Sequence, residues 1–412
     1  MKILYVHQLF STRGGAVGTR SYEIARRMVA AGHQVTVICS SYANADTGVS
    51  GPFVKGVREG MVDGIRVKEF AIPVGNKLSF QARIGAFIRF VVKSLRPVLR
   101  DDYDLLYATS TPLTVAVSGI VAKLARRKRF IFEVRDLWPE LPKAMGVIRN
   151  PLVLAAMSGL EWSGYRAADA CVGLSPGIVE GIRRRTGAEK PILLAPNAAD
   201  LEFFADHESD DVSIPGIDPG DFVAIFTGTH GIANGLENVL DAAAAVAASP
   251  DEAARRIKFV FVGDGNRKAG LMERAEREKL GNCLFLDPVP KARLRGFLRR
   301  ADVGVMALAN VPAFYYGTSP NKFFDYLSAS LPVICNYPGW VSDLIAEHDC
   351  GAGVEAENPQ AFADALVAMA KDRDALATMG ANARKLGETK FDRNLIAGQL
   401  IEFVEQVADG RA

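Results

Sequence analysis

The sequence predicts an α/β protein made of two successive doubly wound sheets, and three observations carry that reading. Short apolar runs alternate with helical stretches along the whole chain, which is the punctuation of βαβ units. The alternation pauses at Asn197-Ala198-Ala199-Asp200 and then starts afresh. With 412 residues, 49% of them hydrophobic, there is material for two cores of about 200 residues each.

In the first half, strands are expected over 3–6, 35–39, 65–70, 105–107, 130–134, 170–173 and 192–195. Thr19 is placed to cap a helix over 20–31, which Gly32 ends at the usual glycine position. His33, in the helix-to-strand turn that follows, is read as a surface residue, because a lone histidine without partners is weak evidence of chemistry. The second half repeats the pattern with strands over 222–227, 258–262, 284–286, 303–308, 333–336 and 353–355. Residues 206–221 are acidic with interspersed Pro and Gly, so the interdomain linker runs from about 197 through that loop. Near the end, Leu395, Ile396, Leu400, Ile401, Val404 and Val407 recur at helical spacing, in a helix long enough to cross back over the junction. The expected domains are 1–200, 201–385 and a crossing helix within 386–412.

Composition removes several function classes. Five cysteines, at 39, 171, 283, 335 and 350, are scattered without a C-x-x-C pair, which argues against a disulfide framework or a zinc site and fits a reducing cytoplasm. No apolar run approaches the roughly 18 residues of a membrane span, and the first six residues enter a strand rather than a signal-peptide core. The overall charge of +2 conceals an asymmetry: residues 1–200 hold 28 Lys+Arg against 16 Asp+Glu, and residues 201–412 hold 21 against 31. Nucleic acid is a poor fit, since no helix-turn-helix, zinc-finger or RNP-type motif is present.

One stretch of the first half is both basic and apolar. Within 81–100, Arg83, Arg89, Lys93, Arg96 and Arg100 are interleaved with Ile84, Phe87, Ile88, Val91, Val92 and Leu95. Two readings stand: an amphipathic helix lying on an anionic membrane surface, or a helix whose apolar stripe packs on the first sheet.

The strongest candidate for chemistry lies in GTSPNKFFDYLSASLPVICNYPGWVSD, residues 317–343. Thr318 or Ser319 is suited to capping a helix and Pro320 to its first turn, leaving the N–H groups of Asn321 and Lys322 aimed where an anion would sit. A lysine in a first helical turn opposes the helix dipole and makes sense if a phosphate lies between. Asp325, one turn on, is placed to accept ribose hydroxyls beside that phosphate. The other reading is an amphipathic helix with solvated polar residues.

Loops after the strands supply the remaining candidates. Gly14 and Gly15 follow the first strand, flanked by Arg13 and Arg20, so their amides could approach a phosphate or sugar; a turn-forming glycine pair is the plain alternative. Their spacing departs from the dinucleotide G-x-G-x-x-G pattern. Glu133-Val134-Arg135-Asp136-Leu137-Trp138-Pro139-Glu140 puts ionisable groups at the end of a central strand, where open α/β sheets bind ligands. Arg135 and Asp136 are the candidate catalytic residues there, with a structural Arg–Asp pair as the alternative. In the second half, Gly228 and Thr229, Gly263, and Val289 each follow a strand and would line one crevice with Lys322 and Asp325.

Taken together, the early GG loop, GHQV, EVRDLWPE, APNAADLEFF, FVGDG and SPNKFFDYLSASLPVI resemble the family-4 retaining glycosyltransferases over nearly the whole chain, and within them the WbuB-like branch. The resemblance implies the GT-B fold of two facing Rossmann-like domains, the nucleotide-sugar donor, UDP-linked by expectation, on the C-terminal domain and the acceptor mainly on the N-terminal one. It further implies no metal and no cofactor beyond the nucleotide-diphosphate sugar, which is a substrate. A glycan or lipid-linked acceptor of bacterial surface polysaccharide is the expected partner, at the inner face of the cell membrane. The family's Glu-x7-Glu motif falls on Gly317 and Asp325, so its first acid is missing. Its diphosphate-binding Arg and Lys fall on Thr229 and Asn234, which makes Lys322 the substitute cation, and a family histidine near the donor sugar falls on Arg135. A nucleotide-sugar 2-epimerase and a catalytically silent nucleotide-binding subunit are the alternative functions.

Overall fold

The computed structural model describes residues 1–75, 78–205 and 212–411, so the first part of the expected linker, 206–211, lies outside the described residues. The chain divides into two compact units. Unit 1 comprises Met1–Pro196 with Gly317–Ser319 and Asn394–Ala412, and unit 2 comprises Asn197–Tyr316 and Pro320–Arg393.

Unit 1 is built on eight strands: β1 (Lys2–Val6), β2 (Gln34–Tyr42), β3 (Val57–Val62), β4 (Ile65–Val74), β5 (Leu105–Thr109), β6 (Arg129–Val134), β7 (Ala170–Gly173) and β8 (Ile192–Leu194). They are ordered β3-β4-β2-β1-β5-β6-β7-β8 and are parallel except for β3, which pairs antiparallel with β4. Ile3 lies opposite both Val35 and Leu105, so β1 runs at the centre of the sheet, with the chain reversing direction across it. Strand β3 is absent from the sequence reading, although Asp63-Gly64 between β3 and β4 carries φ of 48° and 78°, the conformation of a two-residue hairpin turn in which Asp-Gly is favoured. The strand escaped notice because its residues are half-exposed and include Arg58 and Glu59, which blurs any alternation.

Helices Phe80–Arg100, Ala116–Arg126, Pro151–Ala167 and Pro176–Thr186 lie side by side as one layer over this sheet. Their inner residues, among them Phe90, Ala122, Tyr165 and Ile178, form one core with Leu106, Phe130 and Phe132 of the strands. Helix Arg20–Ala30 ends as expected: Gly32 has φ of 88°, and the N–H groups of Gly32 and His33 reach the carbonyls of Val29 and Met28. Thr19 stands at its N-cap without a side-chain bond. His33 is not a surface residue: it is buried, with Nε2 3.0 Å from Glu405 Oε1 and Nδ1 3.4 Å from the amino terminus. Tertiary packing of helix Arg393–Ala408, invisible to a local reading, covers it.

Unit 2 has six parallel strands, β9 (Phe222–Thr227), β10 (Ile257–Val262), β11 (Cys283–Leu286), β12 (Val303–Met306), β13 (Val333–Cys335) and β14 (Gly351–Gly353), ordered β11-β10-β9-β12-β13-β14. The last lies two residues before its expected place. All five cysteines are free thiols, and among the described residues no helix is long and apolar enough to cross a membrane.

Candidate active site

In unit 2 the candidate residues gather at the carboxyl ends of β9, β10 and β11 and at the start of helix Asn321–Ser328. That helix is held from below. Phe323, Phe324, Tyr326 and Leu327 are buried, and the Tyr326 hydroxyl lies 3.2 Å from the Ile225 carbonyl and accepts from the Thr227 amide. A Cβ at Gly304 would sit 2.4 Å from the Tyr326 ring, so this glycine is what lets the helix approach the sheet so closely. The N-cap is Pro320, with no side-chain cap, which corrects the expectation that Thr318 or Ser319 caps the helix and that Pro320 enters its first turn. Pro320 has extended backbone angles, φ −72° and ψ 123°, so the helix begins at Asn321, and Gly317–Ser319 cluster with unit 1.

Lys322 folds inward from the first turn. Its Nζ is 2.9 Å from Asn234 Oδ1 and 4.3 Å from the centre of the Phe226 ring, while Asn234 is itself held by a 2.7 Å bond from Nδ2 to the Thr229 carbonyl. No carboxylate pairs with the ammonium among the described residues, and desolvation alone pulls its pKa down to about 7. Gly228, at φ of 134°, lies over the lysine stem: a Cβ there would meet Lys322 Cε at 3.3 Å. Gly263 crosses directly above Gly228, and a Cβ on it would fall 1.8 Å from the Gly228 carbonyl oxygen. Thr229 is exposed and Val289 half-buried in the adjoining loops, and Asn321 is exposed at the helix start.

Asp325 has a different partner from the one expected. Its carboxylate is nearly buried and pairs with Lys291 Nζ at 3.1 Å, and Lys291 also lies 4.0 Å from Asp200. The sequence reading missed Lys291 and Lys268, and named Asn234 only as the position where the family's lysine is replaced. Lys268 donates to the carbonyls of Gly263 and Leu286 and to Asp287, which ties together the ends of β10 and β11. His230 was also passed over: it is fully buried among Phe226, Phe261 and Phe285, its ring nitrogens lack hydrogen-bond partners among the described residues, and burial pushes its pKa down to about 4. The signals were faint, because lysines at helix starts and a single histidine have many uses.

In unit 1 the acidic and basic groups at the end of β6 separate into two kinds. Glu133 is structural. Arg20 binds it through Nε and Nη2, Tyr107 and Thr109 donate to it at 2.7 and 2.6 Å, and Arg20 also donates to the Ala195 and Pro196 carbonyls. Burial opposes the charge, but Arg20 prevails and holds the Glu133 carboxyl at about 2. Arg20, read as a flanking cation of the glycine loop, is thus sequestered, and Arg13 bonds to Glu23. Arg135 and Asp136 do not form the structural pair considered from the sequence. The Arg135 Nη1 is 3.4 Å from His7 Nε2, its amide donates to Ser110 Oγ, and Asp136 accepts from Thr111 at 2.7 Å. His7 is buried, and burial together with the charge of Arg135 pushes its pKa down to about 3, so it faces Arg135 as a neutral ring.

The glycine loop is internally committed. The amides of Gly14 and Gly15 turn to the Thr12 hydroxyl and carbonyl, each at 3.3 Å, and Cβ atoms at these positions would meet Asp46 Oδ2 at 2.2 Å and Ser11 Oγ at 2.3 Å. Close packing against the backbone of the 44–47 loop accounts for Gly15, where a Cβ would also meet the Asp46 amide nitrogen at 2.7 Å, whereas Gly14 faces only the Asp46 side chain. Among the described residues no cluster of His, Cys, Asp and Glu could hold a metal ion.

Two family models match the chain in tandem: a glycosyl transferase 4-like domain over residues 15–198 and glycosyl transferases group 1 over residues 221–372. No curated protein matches. Among solved structures, HepE of Anabaena in complex with UDP is similar at TM-score 0.68 and 17% identity, covering 98% of this chain and 100% of that one. Sucrose-phosphate synthase from Thermosynechococcus elongatus reaches 0.75 at 16% identity with 99% of each chain covered. WaaG, a glycosyltransferase involved in lipopolysaccharide biosynthesis, reaches 0.66 at 14% identity, covering 98% of this chain and 99% of that one.

Proposed function

The chain is a glycosyltransferase of the GT-B fold, and from that premise we propose that it moves a sugar with retention of configuration from a nucleotide diphosphate, UDP foremost, to a glycan or lipid-linked acceptor. An N-acetylated amino- or deoxy-sugar and a role in bacterial surface polysaccharide belong to the same proposal, which rests for them on the WbuB-like motifs.

The observation that carries the reading is Lys322. It is a desolvated ammonium at the start of a helix, without a carboxylate among the described residues, and it contacts the side chain that occupies the position of the family's diphosphate-binding lysine, Asn234. A cation left uncompensated in that setting is costly until an anion arrives. The diphosphate is that anion. As the glycosidic bond breaks, negative charge grows on the leaving diphosphate, and a fixed ammonium with the first-turn amides of Asn321 and Lys322 stabilises it more in the transition state than in the ground state. The acceptor attacks from the face the diphosphate leaves, and a diphosphate oxygen takes its proton, so no dedicated base is required. Gly317, where the family has an acid, leaves the sugar hydroxyls to other groups. Arg135 and Asp136, free of the Glu133 network, are assigned to the acceptor. UDP in the HepE complex supports the choice of base.

The test is product formation. The full chain is incubated with UDP-, GDP- and dTDP-linked sugars and a polyprenyl-diphosphate-linked acceptor, and products are read by mass spectrometry. Transfer from a UDP-sugar, lost in Lys322→Ala, is the expected result. Donor epimerisation without transfer would replace the reading with an epimerase, and nucleotide binding without any product would replace it with a silent subunit.

A further inference from the structure

Unit 2 carries a second concave surface, at the opposite end of helix Asn321–Ser328 from Lys322. It is a trough of about 680 Å³ between residues 298–302, the turn at 329–332 and one face of helix Arg373–Lys390. Leu298, Leu331, Pro332 and Leu376 are buried beneath it. The helix face turned to the trough bears Ala377, Gly380 and Ala381, spaced by three and four residues, so no large side chain fills its middle. Gly380 brings the walls together. A Cβ there would lie 2.6 Å from the Ser330 carbonyl oxygen, so the helix backbone rests directly on the turn.

The lining is basic although this half of the chain is acidic. Residues 201–412 hold 21 Lys+Arg against 31 Asp+Glu, yet the trough is lined by Arg299, Arg373, Arg384 and Lys385 against Asp302 and Glu388 alone. Both acids are already engaged. Asp302 pairs with Arg373 through one oxygen and accepts from the Val223 amide at 2.7 Å through the other, and Glu388 accepts from Arg384 Nε at 2.6 Å. Arg384 Nη1 donates to the Ser328 carbonyl at 3.2 Å, while neither its Nη2 nor the Lys385 ammonium has a partner among the described residues.

We propose that this trough binds a phosphoryl group, free or carried by a small molecule, at a site separate from the donor site of Lys322. Four cations against two acids leave an excess of two positive charges. A phosphate monoester, at about −1.5 to −2 near neutral pH, cancels that excess, whereas a single carboxylate only halves it. The guanidinium of Arg384 and the ammonium of Lys385 stand on adjacent residues, and their free N–H groups suit the several oxygens of one phosphoryl group. The apolar floor and the small-residue face leave room for an organic part, in a volume typical of small-molecule sites. Arg384, bonded to the last residue of the helix that begins at Asn321, ties the trough to the far end of that helix. The inference does not depend on the nucleotide-sugar reading, since it uses neither Lys322 nor Asp325.

The test is calorimetry of the full chain with inorganic phosphate and with glucose 6-phosphate, in the wild type and in Lys322→Ala, which disables the donor site. Binding of equal strength in the two chains is expected, weakened by raised salt and accompanied by a higher melting temperature. Tighter binding of the sugar phosphate assigns the site to a phosphate ester, and equal affinity for the two probes assigns it to free phosphate. Lys385→Glu reverses the unpaired charge and Ala381→Tyr fills the trough, both at exposed positions where the melting temperature should hold. Each is expected to weaken binding by at least about tenfold, the effect of losing one charge-assisted contact. Binding of neither probe overturns the proposal, as does binding that survives either substitution. Binding lost in Lys322→Ala overturns it too, by returning the anion to the donor site.

Discussion

The end of β6 in unit 1 and the start of helix Asn321–Ser328 in unit 2 both hold charge withdrawn from water, fully at Glu133 and partly at Lys322, and they treat it in opposite ways. At β6 every charge of Glu133 and Arg20 is answered: one guanidinium, two hydroxyls and two carbonyls close the network. At the helix start Lys322 has an amide oxygen and a phenyl ring, but no counterion among the described residues. The first arrangement is complete without a ligand. The second, on the proposed reading, is completed by one. A perturbed group therefore points to function only where its compensation is missing, and the same β6 end shows the contrast at close range, since Arg135 and Asp136 stand outside the Glu133 network.

The largest expected effect lies on the structural side. Arg20→Ala would leave Glu133 buried and unpaired, so global stability should fall by about 3–5 kcal/mol in urea titration. A loss within about 0.5 kcal/mol would show that the β6 network is not the closed unit described. Lys322→Ala comes next. It removes a charge-assisted contact worth about 1.5–3 kcal/mol, or roughly ten- to a hundredfold in UDP affinity by calorimetry, with uridine binding nearly unchanged and turnover falling further than affinity. Wild-type UDP affinity in a folded Lys322→Ala chain would erase the contrast between the two regions.

The pH dependence sharpens it. With its pKa pulled to about 7, Lys322 is largely uncharged at pH 8 in the free protein, so UDP binding should be accompanied by proton uptake, seen as a buffer-dependent calorimetric enthalpy, and affinity should fall as pH rises above about 7. For the ligand-free chain the sign is opposite. Between about pH 7 and the ordinary lysine range near 10.4 the unfolded chain holds a proton that the folded chain has released, so this group makes stability rise with pH over that window. Lys322→Met should accordingly raise the melting temperature of the free protein near pH 6, by about 2–4 °C for each kcal/mol of relieved desolvation. Glu133, held at about 2, contributes stability that persists until strongly acid pH. The smallest effect is assigned to Asp325→Ala: loss of a ribose contact should weaken uridine and UDP by the same factor, about three- to tenfold. If nucleoside binding is untouched and only stability drops, Asp325 serves Lys291 and not the ligand.

Much of this was legible locally. The parallel strands follow from short apolar runs bounded by turn residues, and the Gly32 terminus from a glycine after an apolar-periodic segment. Lys322 stood out because a lysine in a first helical turn opposes the dipole. The hairpin of β3 and β4 was written in Asp63-Gly64 and missed, because half-exposed strands blur the period-two pattern. The pairing of Arg20 with Glu133, 113 positions apart, had no local signature, nor did that of Asp325 with Lys291.

What the sequence determined by itself is the class of each element and the loops that could hold a ligand, since propensity, period and turn chemistry act over a few residues. Tertiary structure alone decided which charges are spent and which remain. Arg13, Arg20 and Lys322 were all cations beside glycine-bearing loops, Lys322 the foremost of them, and only folding brought carboxylates to the first two while placing the third over Phe226 and beside Asn234. The physical reason is range. A desolvated charge is governed by groups within a few ångströms in space, and in a doubly wound sheet those groups arrive on strands and helices distant in the chain.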